Sequence, residues 1–144
     1  MLVALVGSLA VVDHRARASE SVRVASCVST ATSAVGYADA RSDAIVTYVR
    51  PTFESGPPDA LRRRLLGLVS ISVAPTVPVV RRARASCAGT RVLWFHRGAA
   101  ATREDCLRLL DRDLAFLDRV TVDGLRAFEA RSLPVGTCHG PAAT

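Results

Sequence analysis

From Val11 to Arg50 the chain contains no proline and a single glycine, and its apolar and small residues return at helical spacing: Val24, Cys27, Val28, Ala31, Ala34, Val35 and Ala38. A stretch this long without a breaker, striped at intervals of three and four, commits the chain to one long helix before anything else is decided. Ile45, Tyr48 and Val49 prolong the stripe, and Arg50-Pro51 predicts its stop, because the residue before a proline resists helical geometry. Glu54-Ser55-Gly56-Pro57-Pro58 then reads as a turn, with Ser55 expected to cap the next helix and Asp59 placed near its positive end.

The same helix extends backwards into an apolar segment. Met1 to Val12 reads MLVALVGSLAVV, without a charge, and gives way abruptly to Asp13, His14 and Arg15. As a helix it covers about 18 Å, less than the roughly 30 Å of a bilayer's hydrocarbon core, so residues 1–12 read as a membrane-anchor fragment or a signal-like segment. The run has no basic residue before it, and Arg15 and Arg17 follow it directly, which does not suit a signal peptide. Ala16-Arg17-Ala18 before Ser19 matches a cleavage site only in part. A start inside a longer transmembrane helix reconciles these features, whereas the bland alternative makes residues 1–12 the opening of a soluble bundle's first helix. The arginines after the run would prefer the cytoplasm, so charge leaves the orientation open.

The second helix opens with Ala60, Leu61, Leu65, Leu66, Leu68 and Val69. Pro75 and Pro78 would spoil a central strand's ladder, whereas a kinked helix absorbs them. The expectation is therefore one proline-kinked helix, or two end to end, reaching His96. Arg97-Gly98 predicts the break, and Thr102 with Glu104 and Asp105 the start of a third helix, Arg103 to Arg131. There Leu107, Leu110, Leu114 and Leu117 recur at three and four, and Leu109, Phe116 and Val120 widen the face. Glu104 and Arg108 are spaced for an i,i+4 ion pair. Leu133-Pro134-Val135-Gly136 ends the helix, leaving an irregular tail over 133–144. Three long helices with two short turns specify an all-α fold, an antiparallel bundle over 13–132 whose first helix is continuous with the apolar N-terminal segment.

Composition agrees with that class. Hydrophobic residues make up 49% of the 144 and aromatics 5%, so the core is built from Leu, Val and Ala, which favours packed helices. The net charge of +6 is carried by arginine alone, and lysine, asparagine and glutamine are missing altogether. A GC-rich coding genome accounts for that bias. The arginines alternate with Asp and Glu, forming local runs only at Arg62 to Arg64 and at Arg81, Arg82 and Arg84. No nucleic-acid motif accompanies them and stacking aromatics are scarce, so nucleic acid is not an expected partner.

Cys27, Cys87, Cys106 and Cys138 are widely spaced, with no C-x-x-C pair, which excludes a zinc ribbon or a thioredoxin-type motif. An even number of scattered cysteines behind an apolar leader is the pattern of an extracytoplasmic domain with two disulfides; the alternative is four buried thiols in a cytosolic core. With the second turn near Gly98, Cys87 and Cys106 stand at similar heights on facing helices, which predicts the pairs Cys87–Cys106 and Cys27–Cys138.

His96 with Arg97, beside Trp94 and Phe95, is the densest cluster of potentially functional side chains. No nucleophile or carboxylate is arranged with it locally, and it reads first as a helix end covering the core. Cys138-His139 suggests thiol or metal chemistry less than a disulfide, since adjacent side chains diverge and the three histidines lack ligand spacing. Asp113 falls close to the apolar stripe of the third helix, where an arginine from another helix would pair with it. P-loop, G-x-S-x-G, G-x-G-x-x-G and H-E-x-x-H patterns are absent.

The resulting expectation is a membrane-anchored or secreted protein, non-enzymatic and without a cofactor, with an interaction or structural role at the cell surface. Its partners are the membrane, through the N-terminal segment, and another protein. The alternative is a basic intracellular or membrane-surface regulator that binds anionic lipid or nucleic acid. An enzyme would require an apolar pocket with converging polar groups near Trp94.

Overall fold

A computed structural model describes residues 2–93, 95–123 and 138. Those residues form four helices and no strand: α1 (Leu2–Glu54), α2 (Asp59–Val73), α3 (Thr76–Ala88) and α4 (Arg97–Asp123). The chain is all-α, and α1, α3 and α4 each pack against the other two, with α2 lying on α1 and α4. Trp94, His139, the expected helix end near Arg131 and the tail over 133–144 lie outside the described residues, Cys138 excepted.

α1 does not stop at Arg50. It runs through Pro51 to Glu54, because the proline falls in the final turn, where only one helical bond is lost and Thr47, which it abandons, is exposed to water. Phe53 holds that turn down: it packs on the core, and the Arg62 guanidinium lies 4.5 Å above its ring. Ser55 does not cap α2. Its hydroxyl donates back to the Thr52 carbonyl at 2.7 Å, and the residue before α2 is Pro58, which offers no side-chain acceptor.

The two prolines of the middle segment divide it as two helices end to end. Pro75 separates α2 from α3, while Pro78 sits in the first turn of α3, where a missing N–H costs little. Thr76 Oγ1 donates to the Val73 carbonyl at 2.6 Å and closes the joint. The segment ends at Ala88, short of the expected His96, and α4 starts at Arg97, before the expected Arg103. Gly89 terminates α3, and Gly98 is tolerated in the first turn of α4 because Ala99 to Ala101 propagate the helix.

Arginines from neighbouring helices occupy both helix ends thus created. Arg41 of α1 donates to the Ser72 carbonyl at 2.7 Å, and Arg103 of α4 donates to the carbonyls of Cys87 and Ala88 at 3.1 and 2.8 Å. Each places a cation at the negative end of a helix and adds a donor to its last carbonyls; the Cys87 carbonyl also accepts from the Thr90 N–H at 3.1 Å. Arg84 on α3 forms a two-pronged pair with Asp111 on α4, and Asp113 is buried. Arg108 pairs with Asp105, one residue on from the expected Glu104.

The core comprises Cys27, Ala31, Ala34 and Ala38 from α1, Val69 and Val73 from α2, Val80 and Ala83 from α3, and Leu110, Phe116, Leu117 and Val120 from α4. Both cysteine pairs stand at disulfide distance, but the partners differ from those expected: Cys27 with Cys87 and Cys106 with Cys138, each with Cα atoms 4.9 Å apart. The expected heights were close to the real ones. Arg103, one turn from Cys106, reaches the Cys87 carbonyl, and the Cys138 sulfur lies 3.8 Å from the carbonyl of Val28, the residue after Cys27. All four cysteines share one level of the fold, so height could not choose among the pairings; the inward face of α3 turns Cys87 toward α1.

Among the described residues one stretch, Asp59–Ala88, is long and apolar enough to cross a membrane by length and composition alone. Its uncharged part, between Arg64 and Arg81, covers about 24 Å as helix and is broken at Pro75. It also delivers Val69, Val73, Val80 and Cys87 to the core, which is the behaviour of a core segment.

Candidate functional site

Glu20 lies on the buried stripe of α1, one turn before Val24 and two before Cys27, and is 2% exposed. Two groups from outside its helix and one within it account for an acid at that depth. The Leu93 N–H and His96 Nδ1 each meet one carboxylate oxygen, which leaves neither oxygen without a donor. Burial pushes the Glu20 carboxyl up, but the His96 hydrogen bond, the Leu93 N–H, and the charges of His96 and Arg23 together hold it below its ordinary value. The irregular segment between α3 and α4 is shaped by this pairing, since both donors belong to it. Phe95 packs edge-on against the His96 ring, with centroids 4.5 Å apart.

Beside the pair lies a cleft of about 790 Å³ between α1 and the start of α4. Val24, Ala25 and Val28 form its α1 wall, Phe95 and the first turn of α4 face them, and Arg17 and Arg97 border it. Val22 and Phe95 leave apolar surface open to solvent at its edge, at 69% and 49% exposure. The sequence singled out Phe95, His96 and Arg97, and the structure brings these three together. It missed Glu20. The signal was present, since Glu20 continues the spacing of Val24, Cys27 and Ala31 backwards by four, and an acid on an apolar stripe announces a buried partner.

A carboxylate that orients an imidazole is half of a general-base arrangement. The other half requires a nucleophile, and the Ser21 hydroxyl on the cleft wall donates to the Ala18 carbonyl of its own helix at 2.9 Å. No group of three metal-ligating side chains occurs among the described residues. No family model, curated protein or solved structure matches the chain. His14 is exposed, and Cys138 stands at disulfide distance from Cys106. Four of the arginines serve as structural groups: Arg41 and Arg103 hold helix ends, Arg84 joins α3 to α4, and Arg62 covers Phe53.

Proposed function

We propose that this chain is a non-enzymatic interaction module at the cell surface: an antiparallel bundle held by two disulfides and carried on an apolar N-terminal segment that anchors or exports it. The observation that carries the reading is the four cysteines, all of which stand in pairs at disulfide distance and tie together elements far apart in sequence. Such cross-links persist in oxidising compartments and are rare where thiols are kept reduced. The order of contacts supports the bundle topology. Arg41 meets Ser72, Cys27 meets Cys87, and Glu20 meets Leu93 and His96, so the partner advances as α1 is followed backwards. In this reading Glu20 and His96 fix the loop that forms one side of the cleft, and the cleft is the interaction site.

The test is the thiol state of the full chain isolated from its native cells, with free thiols alkylated at lysis and intact mass recorded before and after reduction. The expected result is no label before reduction and four labels after it. Four labels before reduction would overturn the extracytoplasmic reading and leave the basic, membrane-surface regulator in its place, for which the exposed Arg62 to Arg64 and Arg81 supply the charge.

A further inference from the structure

We infer that a second cavity, between α1 and the segment that joins α3 to α4, binds the phosphate monoester of a small organic alcohol through Arg23, Arg91 and Arg103. It shares no lining residue with the cleft beside Glu20 and His96, and the inference stands without the cell-surface reading.

The frame of this cavity is fixed before anything binds. The stretch that carries Arg91 is pinned on both sides. On one side the Gly89 and Thr90 N–H groups donate to the Ala85 and Cys87 carbonyls at 3.0 and 3.1 Å, and the Thr90 hydroxyl donates to the Ser86 carbonyl at 3.2 Å. Arg103 holds the same end from α4 through the Cys87 and Ala88 carbonyls. On the other side the buried Glu20 carboxylate accepts the Leu93 N–H. Arg91 falls between these pins, and Arg23 follows Glu20 by three residues on α1, so the carboxylate that fixes the loop also fixes its place beside the Arg23 turn. The cavity the three arginines line is about 660 Å³, in the range of small-molecule sites. A site held in this way loses little freedom when a ligand enters.

The charge of the lining has one sign, since no acid contributes to it. Arg91 is exposed and makes no hydrogen bond or ion pair among the described residues. Arg23 is exposed as well; its charge is felt by Glu20, whose two oxygens already meet the Leu93 N–H and His96 Nδ1. The acceptors of Arg103 are carbonyls, which leave its charge uncancelled, and by covering them it screens the negative end of α3 that would repel an anion. Setting Glu20 against Arg23 therefore still leaves the charges of Arg91 and Arg103 at the cavity. A cation is excluded by such a lining. A phosphate monoester carries nearly two negative charges at neutral pH and three acceptor oxygens, which the planar forks of two guanidiniums match pairwise, whereas a carboxylate offers one charge. Val92, Ala100 and Leu93, the last 41% exposed, supply apolar surface for the carbon body of the ester.

The experiment is arginine footprinting with phenylglyoxal, on the full chain in phosphatidylcholine vesicles near pH 7.5, read by peptide mapping with and without glycerol 3-phosphate. Saturating ester should slow modification of Arg23 and Arg91 at least about fivefold, while Arg63, exposed on α2, changes by less than about twofold. Dimethyl phosphate, a monoanion, should need at least about tenfold higher concentration for the same protection. In Arg91→Gln the half-protecting concentration read at Arg23 should rise at least about tenfold, and in Arg63→Gln, which removes the same charge elsewhere, by less than about twofold. Phosphatidic acid mixed into the vesicles distinguishes the sources: protection by it assigns a lipid head, and protection by the soluble ester alone assigns a soluble metabolite. The wild-type footprint reads the site without any variant, so the answer does not depend on how R91Q folds. No protection by either ester, protection of Arg63 equal to that of Arg91, or an unmoved response of Arg23 in a folded R91Q would overturn the inference.

Discussion

The buried faces of α1 and α3 carry alanine, cysteine and valine, whereas the buried face of α4 is built mainly from leucine and phenylalanine. α1 contributes Cys27, Ala31, Ala34 and Ala38 and α3 contributes Ala83 and Cys87, while α4 contributes Leu109, Leu110, Phe116 and Leu117. Where α1 and α3 meet, Ser29, Ser33, Ala34, Ala83 and Ser86 leave a groove of about 570 Å³ between them. Replacing a buried leucine by alanine removes three carbons, worth about 2 kcal/mol by burial alone. The α1–α3 seam therefore gains little from hydrophobic burial, and it is where the Cys27–Cys87 link falls. The α4 face gains much more and is joined to α3 by the surface Arg84–Asp111 pair, which solvent screens. With the Cys27–Cys87 disulfide formed, covalent closure would stand in for side-chain volume on one side of the core, and volume suffices on the other.

The largest effect should come from breaking the link. The closed segment spans 60 residues, for which loop-closure entropy gives about 4 kcal/mol. The double substitution Cys27→Ser with Cys87→Ser should lower stability by that amount in guanidinium unfolding, and a loss below about 1 kcal/mol would show that the thin seam holds without it. On the other side, Leu117→Ala should cost about 3 kcal/mol, since the side chain is fully buried and leaves a cavity. If L117A cost no more than an exposed substitution, the contrast between the two faces would disappear. Ala31→Leu sharpens the comparison from the small side. Ala31 is fully buried, so the added carbons should destabilise by about 2 kcal/mol through overpacking, read as a drop in Tm. A neutral or stabilising result would mean that the groove between α1 and α3 extends to position 31.

The same contrast marks what was legible in the sequence. The helical class follows from breaker-free stripes, and the stripe of α1 identifies Val24, Cys27, Ala31, Ala34 and Ala38 as buried, as the structure has them. Boundaries failed wherever a tertiary contact outweighed local propensity. Arg50-Pro51 predicts a stop, but Phe53 packing on the core carries α1 past it, and Arg103 of α4 takes the last carbonyls of α3, which ends at Ala88, eight residues before His96. The cysteine partners were illegible for a related reason: spacing along helices fixes height but not the direction in which each sulfur faces. At the candidate site, His96 and Arg97 were visible as a cluster because they are adjacent in the chain. Glu20 comes from 76 residues away, and its role could be read only by taking an acid on an apolar stripe as a demand for a partner.

That demand gives the smallest of the expected effects and the one most specific to the site. Glu20→Gln keeps an acceptor for the Leu93 N–H but exchanges charge-assisted hydrogen bonds for neutral ones, which should cost about 1 kcal/mol at neutral pH. The sign of the pH dependence follows from the lowered carboxyl. A group whose pKa is lower folded than unfolded binds fewer protons when folded, so its contribution is complete above the unfolded value, near 4.5, and is lost as pH falls through the lower folded value. The gap in unfolding midpoint between the wild-type chain and E20Q should accordingly be constant from pH 7 down to about 5, and close as acid protonates Glu20. A gap that stayed open at pH 2 would mean that shape, not charge, is what glutamine fails to reproduce. The loop from Leu93 to His96 would then be held by packing in the same manner as α4, and the cleft it borders would keep its form without the carboxylate.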